Sequence, residues 1–431
     1  MIIMNIYKIN GGRTLRGSVE IDGAKNAALP IIAASLLTKD VCLLGNMPKL
    51  KDVDNMLLIA GHIGSNFDCD ITNSIVRIET SKIINSEIGY NLAAKLRASF
   101  LFAGALLAVN GYVKIAMPGG CDIGLRPIDL HLKGFNLMGA EAVKDGGFVT
   151  LNAPMGLHGA EVYLDFPSVG ATENIMIAAT AAAGKTTIKN AAAEPEIVDL
   201  ANYLCEMGAD IVGAGSDTIE IKGKKQLRGT IYNIVPDRIE AGTFMAAAGA
   251  VGGDITVKKV NPVHLEPVTL KLREAGITVE EGSDFVRVIS GGRGSVRPID
   301  IRTLPYPGFP TDMQAQMTAL LTQANGTSLI TETIFENRFQ YVGELNRLGA
   351  VIKLNERTAV VSGVEKKEKP FLTGTAVEAT DLRGGAALVI AALSAKGETR
   401  VCNTEFIERG YSDLAGKLSL LGADIISYRE C

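Results

Sequence analysis

The chain has 431 residues, 47% hydrophobic and 21% charged, with 43 Lys and Arg against 47 Asp and Glu for a formal net charge of −4. That balance leaves no basic excess to displace counterions from a nucleic-acid backbone, and it is equally unlike a strongly acidic disordered chain. Length alone suggests two or three domains at roughly 150 residues each, and 47 Gly against 15 Pro fit an α/β protein rich in tight turns.

Asn5, Lys8 and Asn10 interrupt the first dozen residues, which lack the apolar core of a signal peptide. The best apolar run, 27–37, has eleven residues and includes Pro30, short of the ~18 that a membrane span needs. The expectation is a soluble cytoplasmic protein with neither a membrane nor a nucleic-acid partner. Cys42, Cys69, Cys121, Cys205, Cys402 and Cys431 show no Cys-x-x-Cys spacing, and the four histidines stand apart from one another and from the cysteines. Neither a disulfide framework nor a metal site is expected.

One phrase recurs along the chain: an apolar residue, then Gly, a small or apolar residue and an apolar strand. It runs Ile63-Gly64-Ser65, Met138-Gly139-Ala140, Met207-Gly208-Ala209, Ala275-Gly276-Ile277, Leu348-Gly349-Ala350 and Leu421-Gly422-Ala423, with glycines 68 to 75 residues apart. An amphipathic stretch such as 198–207 or 342–348 precedes each phrase. The pattern predicts a helix ended by glycine in a left-handed cap, followed by an alternating strand. Six units of about 72 residues account for the whole chain.

A second series runs in register with the first. Ala- and Gly-rich apolar helices open near Lys25, Arg97, Thr172, Glu240, Asp312 and Arg383. Segments such as 175–183 and 386–395 are apolar on every face and are expected to be buried on every face. A helix N-terminus carries about half a positive charge, so Lys25, Arg97 and Arg383 are electrostatically misplaced there unless an anionic ligand offsets them. The strongly polar openings, Lys25, Arg97, Glu240, Asp312 and Arg383, are therefore candidate cleft residues, although six repeats establish an architecture and not an activity.

Between these helices lie several motifs of unequal weight. Gly184-Lys185-Thr186-Thr187 imitates the end of a phosphate loop, but Ala179 stands where the first glycine is needed and the motif follows a helix instead of a strand. Gly291-Gly292-Arg293-Gly294 reads as a hairpin turn, and the charged run 365–369, ending at Pro370, as a solvated loop. Met117-Pro118-Gly119-Gly120-Cys121-Asp122-Ile123-Gly124-Leu125-Arg126-Pro127 is the most informative loop. Its glycines leave no core for Cys121 to fill, and a nearby cation can shift a thiol's protonation, so Cys121 is a candidate functional group. Asp312, after Gly308-Phe309-Pro310-Thr311, is either a helix cap or a carboxylate base.

Together these motifs resemble the UDP-N-acetylglucosamine enolpyruvyl transferases over essentially the whole chain. The resemblance rests on Gly23-Ala24-Lys25-Asn26-Ala27-Ala28-Leu29-Pro30, the Pro118-Gly119-Gly120-Cys121 loop, Arg126-Pro127-Ile128-Asp129-Leu130-His131 and Ser168-Val169-Gly170-Ala171-Thr172. It continues through Pro236-Asp237-Arg238-Ile239-Glu240, Phe309-Pro310-Thr311-Asp312-Met313-Gln314-Ala315-Gln316, Phe335-Glu336-Asn337-Arg338-Phe339 and Glu408-Arg409-Gly410-Tyr411. A shikimate-type relative would show a Gly-Ser-Lys-Ser opening and no Pro-Gly-Gly-Cys loop.

The resemblance implies an α/β fold of two inside-out barrel domains, three repeats each, with buried parallel helices whose N-termini face a cleft. Residues 1–24 plus 236–431 would form the catalytic domain and 25–235 the second domain, which carries the Cys121 loop. It implies addition of the sugar 3-hydroxyl to phosphoenolpyruvate and loss of phosphate, at the first committed step of peptidoglycan synthesis. Cys121 would donate the proton and be the target of the epoxide fosfomycin, with Asp312 as the base. Lys25, Asn26, Arg126 and Arg409 would hold phosphoenolpyruvate. Asn26, Arg97, Arg126, Pro127, Ile128, Asp129, Leu130, Ser168, Val169, Gly170, Asp312 and Ile334 would contact UDP-N-acetylglucosamine. No metal or other cofactor enters the scheme. One departure stands out: Phe166 precedes Pro167-Ser168-Val169-Gly170 where the best-known form of the enzyme has Lys before Val-Ser-Val-Gly. A non-catalytic paralogue that senses the nucleotide sugar is the competing class, disfavoured by the presence of Cys121, Asp312, Lys25, Arg126 and Arg409.

Overall fold

Six four-stranded sheets repeat one connectivity in the computed structural model, which describes residues 4–119, 124, 127–224, 226–364 and 372–430. In each sheet a first strand lies parallel to a second. In five of them a hairpin then pairs antiparallel against that second strand, as in Glu87–Ile88, Tyr112–Ala116, Glu141–Asp145 and Phe148–Asn152, and in the sixth Met4–Asn10 and Asp424–Glu430 take the place of the hairpin. The hairpin Glu141–Asn152 turns on Gly146 and Gly147, at φ +54° and +80°, the paired left-handed conformations that a tight two-residue loop needs.

The six recurring glycines, 64, 139, 208, 276, 349 and 422, all take left-handed φ between +83° and +131°. Each ends an outer amphipathic helix: Lys51–Ile63, Asp129–Leu137, Pro195–Glu206, Glu266–Glu274, Val342–Arg347 and Leu414–Leu420. The inner helices are Lys25–Ala34, Phe102–Asn110, Val169–Ala181, Arg238–Val251, Gln314–Leu321 and Leu382–Ser394. Every residue from Ile239 to Ala250 and from Arg383 to Leu393 is buried, as the all-round apolar pattern requires. The segment 291–294 is a turn that leads into an irregular stretch ending at Ile301–Arg302, not a hairpin. The run 365–369 lies outside the described residues.

The chain divides into two units. Residues up to Asp22 join those from Pro236 onward in one, and Gly23 to Val235, the loop at 122–125 excepted, form the other. Three inner helices pack together in each unit, and each unit has its own apolar core. Strand pairing explains the discontinuity. Met4–Asn10 fills the last repeat, antiparallel to both Glu398–Cys402 and Asp424–Glu430, while Leu15–Glu20 pairs parallel with Gly253–Lys258. In the other unit Ile231–Asn233 returns to pair parallel with Cys42–Gly45. Strands from one end of the chain or unit thus complete repeats at the other, and these two parallel pairings tie together residues about two hundred positions apart in the chain.

Candidate functional site

In the unit built from Gly23 to Val235, Lys25 and Asn26 open an inner helix that has no side-chain cap. Lys25 Nζ lies 3.5 Å from Asp52 Oδ2, on a carboxylate with only 4% of its side chain exposed. The cation at the positive helix end is therefore offset from inside the protein. That changes the reading of Lys25, because its position alone no longer demands an anionic ligand. Asp52 was not foreseen; it stands 27 positions along the chain at the start of the next helix.

Arg97 begins a 3₁₀ turn, Arg97–Leu101, that runs into Phe102–Asn110, and its guanidinium donates to the Pro127 carbonyl at 3.3 Å. Next to it is His131, whose ring packs edge-on against Phe100 and whose Nδ1 is 3.1 Å from Asn174 Nδ2. Burial, and then the Arg97 charge, pull the imidazole down to about 3, so it is neutral at any physiological pH. A Cβ placed on Gly170 would meet His131 at 3.3 Å, so the ring backs directly onto the start of the Val169–Ala181 helix. Ser168 caps that helix by accepting from the Ala171 N–H at 3.3 Å. Arg97, Pro127 and Ser168 to Gly170 are thus assembled around one buried histidine. Ile128 is buried and precedes Asp129 and Leu130, which lie in the first turn of the helix that carries His131.

Thr172 is a different case. It was expected at a helix opening, but the helix starts at Val169 and Thr172 is fully buried, accepting from the Ala192 N–H at 3.0 Å. Its role is structural. Cys121 and Arg126 lie outside the described residues.

The other unit holds Asp312. The residue sits in the short turn Thr311–Met313 before an inner helix, and it does not act as a side-chain cap. Its carboxylate instead receives Arg338 on Oδ1 at 2.7 Å and Arg383 on Oδ2 at 3.2 Å. Both arginines are nearly inaccessible, at 4% and 3% side-chain exposure, while Asp312 keeps 27%. Two buried cations thus hold one partly exposed carboxylate by both oxygens. Burial alone would lower the Arg383 guanidinium, but Tyr411, whose ring it covers at 5.3 Å, together with Asp312 and Asp237, raises it overall. Arg383 is therefore offset internally, as Lys25 is.

The Asp312–Arg383 pair joins the N-termini of two inner helices. The third is drawn in by a buried polar network. Gln316 Nε2 donates to the Asp312 carbonyl at 2.9 Å and to Thr243 Oγ1 and Tyr411 Oη at 3.2 Å each. Arg409 ends the short turn Ile407–Arg409 just before Tyr411. Ile334 donates its N–H to Glu332 Oε1 at 2.8 Å. Glu240, expected among the cleft residues, is instead buried at 3% exposure and bonded to Lys417 Nζ at 2.6 Å and to the Asp22 N–H at 3.1 Å. It braces the point where the chain leaves this unit.

Sequence reasoning missed Arg338 and Arg383 as the partners of Asp312. A buried arginine is rare without a paired acid, so an Arg inside an otherwise apolar stretch, such as Arg383 before Gly384-Gly385-Ala386, is itself a signal of one. Among the described residues no group of three His, Cys, Asp or Glu side chains could hold a metal ion. Among the described residues no helix is long and apolar enough to cross a membrane.

Residues 9–418 match the family model described as EPSP synthase (3-phosphoshikimate 1-carboxyvinyltransferase). A UDP-N-acetylglucosamine 1-carboxyvinyltransferase 2 from Clostridium tetani is 50% identical over 422 residues, covering 98% of this chain and 99% of that protein. A UDP-N-acetylglucosamine 1-carboxyvinyltransferase 1 from Caldanaerobacter subterraneus subsp. tengcongensis is 52% identical over 416 residues, covering 96% and 97%. Among solved structures, the enolpyruvyl transferase NikO from Streptomyces tendae superposes with a TM-score of 0.89 at 25% identity, covering 99% of this chain and 100% of that one. EPSP synthase from Acinetobacter baumannii, at 20% identity and a TM-score of 0.75 over 99% of this chain, shares the fold.

Proposed function

Because the chain belongs to the EPSP synthase family, we propose that it transfers the enolpyruvyl group of phosphoenolpyruvate to the 3-hydroxyl of UDP-N-acetylglucosamine. The observation that carries the choice of acceptor is the identity of half the residues, over nearly full length, with UDP-N-acetylglucosamine 1-carboxyvinyltransferases. A shikimate-type acceptor has behind it the description of the family model, which the whole family shares, and a fold neighbour at 20% identity. The product is the first intermediate committed to peptidoglycan, and both substrates are cytoplasmic metabolites, so the reading puts the enzyme in the cytoplasm.

The chemistry has two halves. In the addition, a proton goes to C3 of phosphoenolpyruvate while the sugar oxygen bonds to C2 and gives up its own proton. In the elimination, C3 loses a proton, the C2–O bond to phosphate breaks, and the vinyl ether and inorganic phosphate leave. A general acid and a general base are needed, and we assign them to Cys121 and Asp312. The arginine pair supports the second role in one respect, since a carboxylate gripped by both oxygens is held in one orientation toward an incoming hydroxyl. Its contribution on this reading lies in geometry, which the two arginines fix. Lys25, Asn26, Arg126 and Arg409 are the proposed phosphoenolpyruvate group, where fixed cations stabilise the anion and the charge that develops at C2. Asn26, Arg97, the 126–130 segment, Ser168 to Gly170, Asp312 and Ile334 are the proposed nucleotide-sugar group. The assembly of Arg97, Pro127 and Gly170 around His131 supports treating these as one subsite. We take 1–24 with 236–431 as the catalytic domain and 25–235 as the second.

The experiment is turnover in D2O with both substrates, followed by proton NMR of the product. Addition–elimination passes through a C3 methyl group, so deuterium enters the vinyl position. A product with no vinylic deuterium, formed at the same rate, contradicts the mechanism.

A further inference from the structure

Glu332 is a carboxylate with 1% exposure in the stretch that follows the strand Thr327–Thr331. Burying such a charge is costly unless donors saturate it, and here four do. Oε1 accepts from Thr303 Oγ1 at 2.9 Å, from the Ile334 N–H at 2.8 Å and from the Phe335 N–H at 3.2 Å. Oε2 accepts from Thr311 Oγ1 at 2.8 Å. The donors come from three separate segments, and two of them lead straight to Asp312. Thr311 is its chain neighbour. Phe335, fixed through its N–H, puts its ring 5.5 Å from the guanidinium of Arg338, which in turn grips Asp312 Oδ1. The other cation, Arg383, comes from a different helix and owes nothing to this network.

We propose that Glu332 is the positioning residue of Asp312: it fixes Thr311 on one side and the 334–335 turn on the other, so that Asp312 and Arg338 meet in one register. The inference deepens the functional reading above and rests on it. Glu332 itself touches no substrate. It acts through Asp312, which Arg338 and Arg383 grip by its two oxygens.

The test compares Glu332→Ala, Glu332→Gln and Thr311→Val with the wild type by phosphate release with both substrates across a pH series. Misplacing a reacting group by about 1 Å costs roughly 10²-fold in rate, so Glu332→Ala should lower kcat by about that factor with KM for phosphoenolpyruvate little changed. Its acidic pH limb should move upward, because the loosened carboxylate loses Arg338. Glu332→Gln keeps the shape, with its carbonyl toward the two N–H groups and its amide toward the Thr311 hydroxyl, and should recover most of kcat. Thr311→Val removes only the Oε2 bond; it should move kcat and the limb in the same direction by a smaller amount, and it decides the matter if Glu332→Ala does not fold. A loss confined to thermal stability or to KM, with kcat and the pH limb unmoved in variants that fold, overturns the proposal. A wild type that releases no phosphate with UDP-N-acetylglucosamine instead overturns the functional reading.

Discussion

A thiol and a carboxylic acid can each deliver a proton near neutral pH, whereas a hydroxyl cannot, and position 121 tests that difference directly. Cys121→Asp should keep phosphate release, while Cys121→Ser should lose about 10²–10⁴-fold, the usual range for removal of a general acid. Fosfomycin should inactivate the wild type and spare Cys121→Asp, because a carboxylate opens an epoxide far less readily than a thiolate. Full activity in the serine variant would show that another group donates. Asp312→Asn keeps the size of the side chain but puts an amide against one arginine, and it should lower kcat by a comparable 10²–10⁴-fold. A drop confined to KM would make Asp312 a binding residue only. A third residue gives a stability prediction. Burial pushes the Asp199 carboxyl up to about 6, although Tyr232 Oη donates to it at 2.6 Å and the Val235 N–H at 3.3 Å. A raised carboxyl stabilises the fold in its protonated form, so its contribution is complete below the unfolded value near 4 and is lost as pH rises through 6. Urea unfolding at pH 5 and 7.5 should show wild type losing about 1–2 kcal/mol more than Asp199→Asn over that interval. Equal pH dependence in the two proteins would contradict the assignment.

Elements are where the sequence was most legible. The six cap glycines could be read because a left-handed φ restricts the residue choice so strongly, and the inner helices because an apolar surface on all sides has no solvated alternative. Two glycines separate the two demands. Gly208, at φ +103° with open space where a Cβ would stand, is needed for its backbone alone, so Gly208→Ala should cost about 1–2 kcal/mol. Gly104, inside an inner helix, would put a Cβ 2.4 Å from the Asn174 carbonyl on the neighbouring helix, and Gly104→Ala should cost about 3 kcal/mol. Chemical denaturation that ranks them in the opposite order would show that helix packing is looser than described. Side-chain direction was the less legible part. Polar Thr172 and Glu240 signal a helix opening in sequence, yet one accepts a backbone N–H inside the core and the other is locked to Lys417. Asp312 and Arg383 are 71 positions apart, and Lys25 and Asp52 are 27 apart, so no local pattern could pair them.

For the whole molecule, the order of strands along the chain conceals their partners. Met4–Asn10 reads as an ordinary alternating strand, and nothing in it announces that it completes a repeat ending at Glu430. The consequence is physical: the unit holding Asp312 cannot form until both ends of the chain are made, whereas the unit from Gly23 to Val235 closes on itself through Ile231–Asn233 and Cys42–Gly45. The choice of acceptor is likewise a property of the entire chain, carried by full-length similarity and not by any one contact. The measurement that tests it most directly is phosphate release from phosphoenolpyruvate with UDP-N-acetylglucosamine, with shikimate 3-phosphate, and with neither. Release with the nucleotide sugar alone is expected; equal release with shikimate 3-phosphate, or none with UDP-N-acetylglucosamine, would contradict the proposed function.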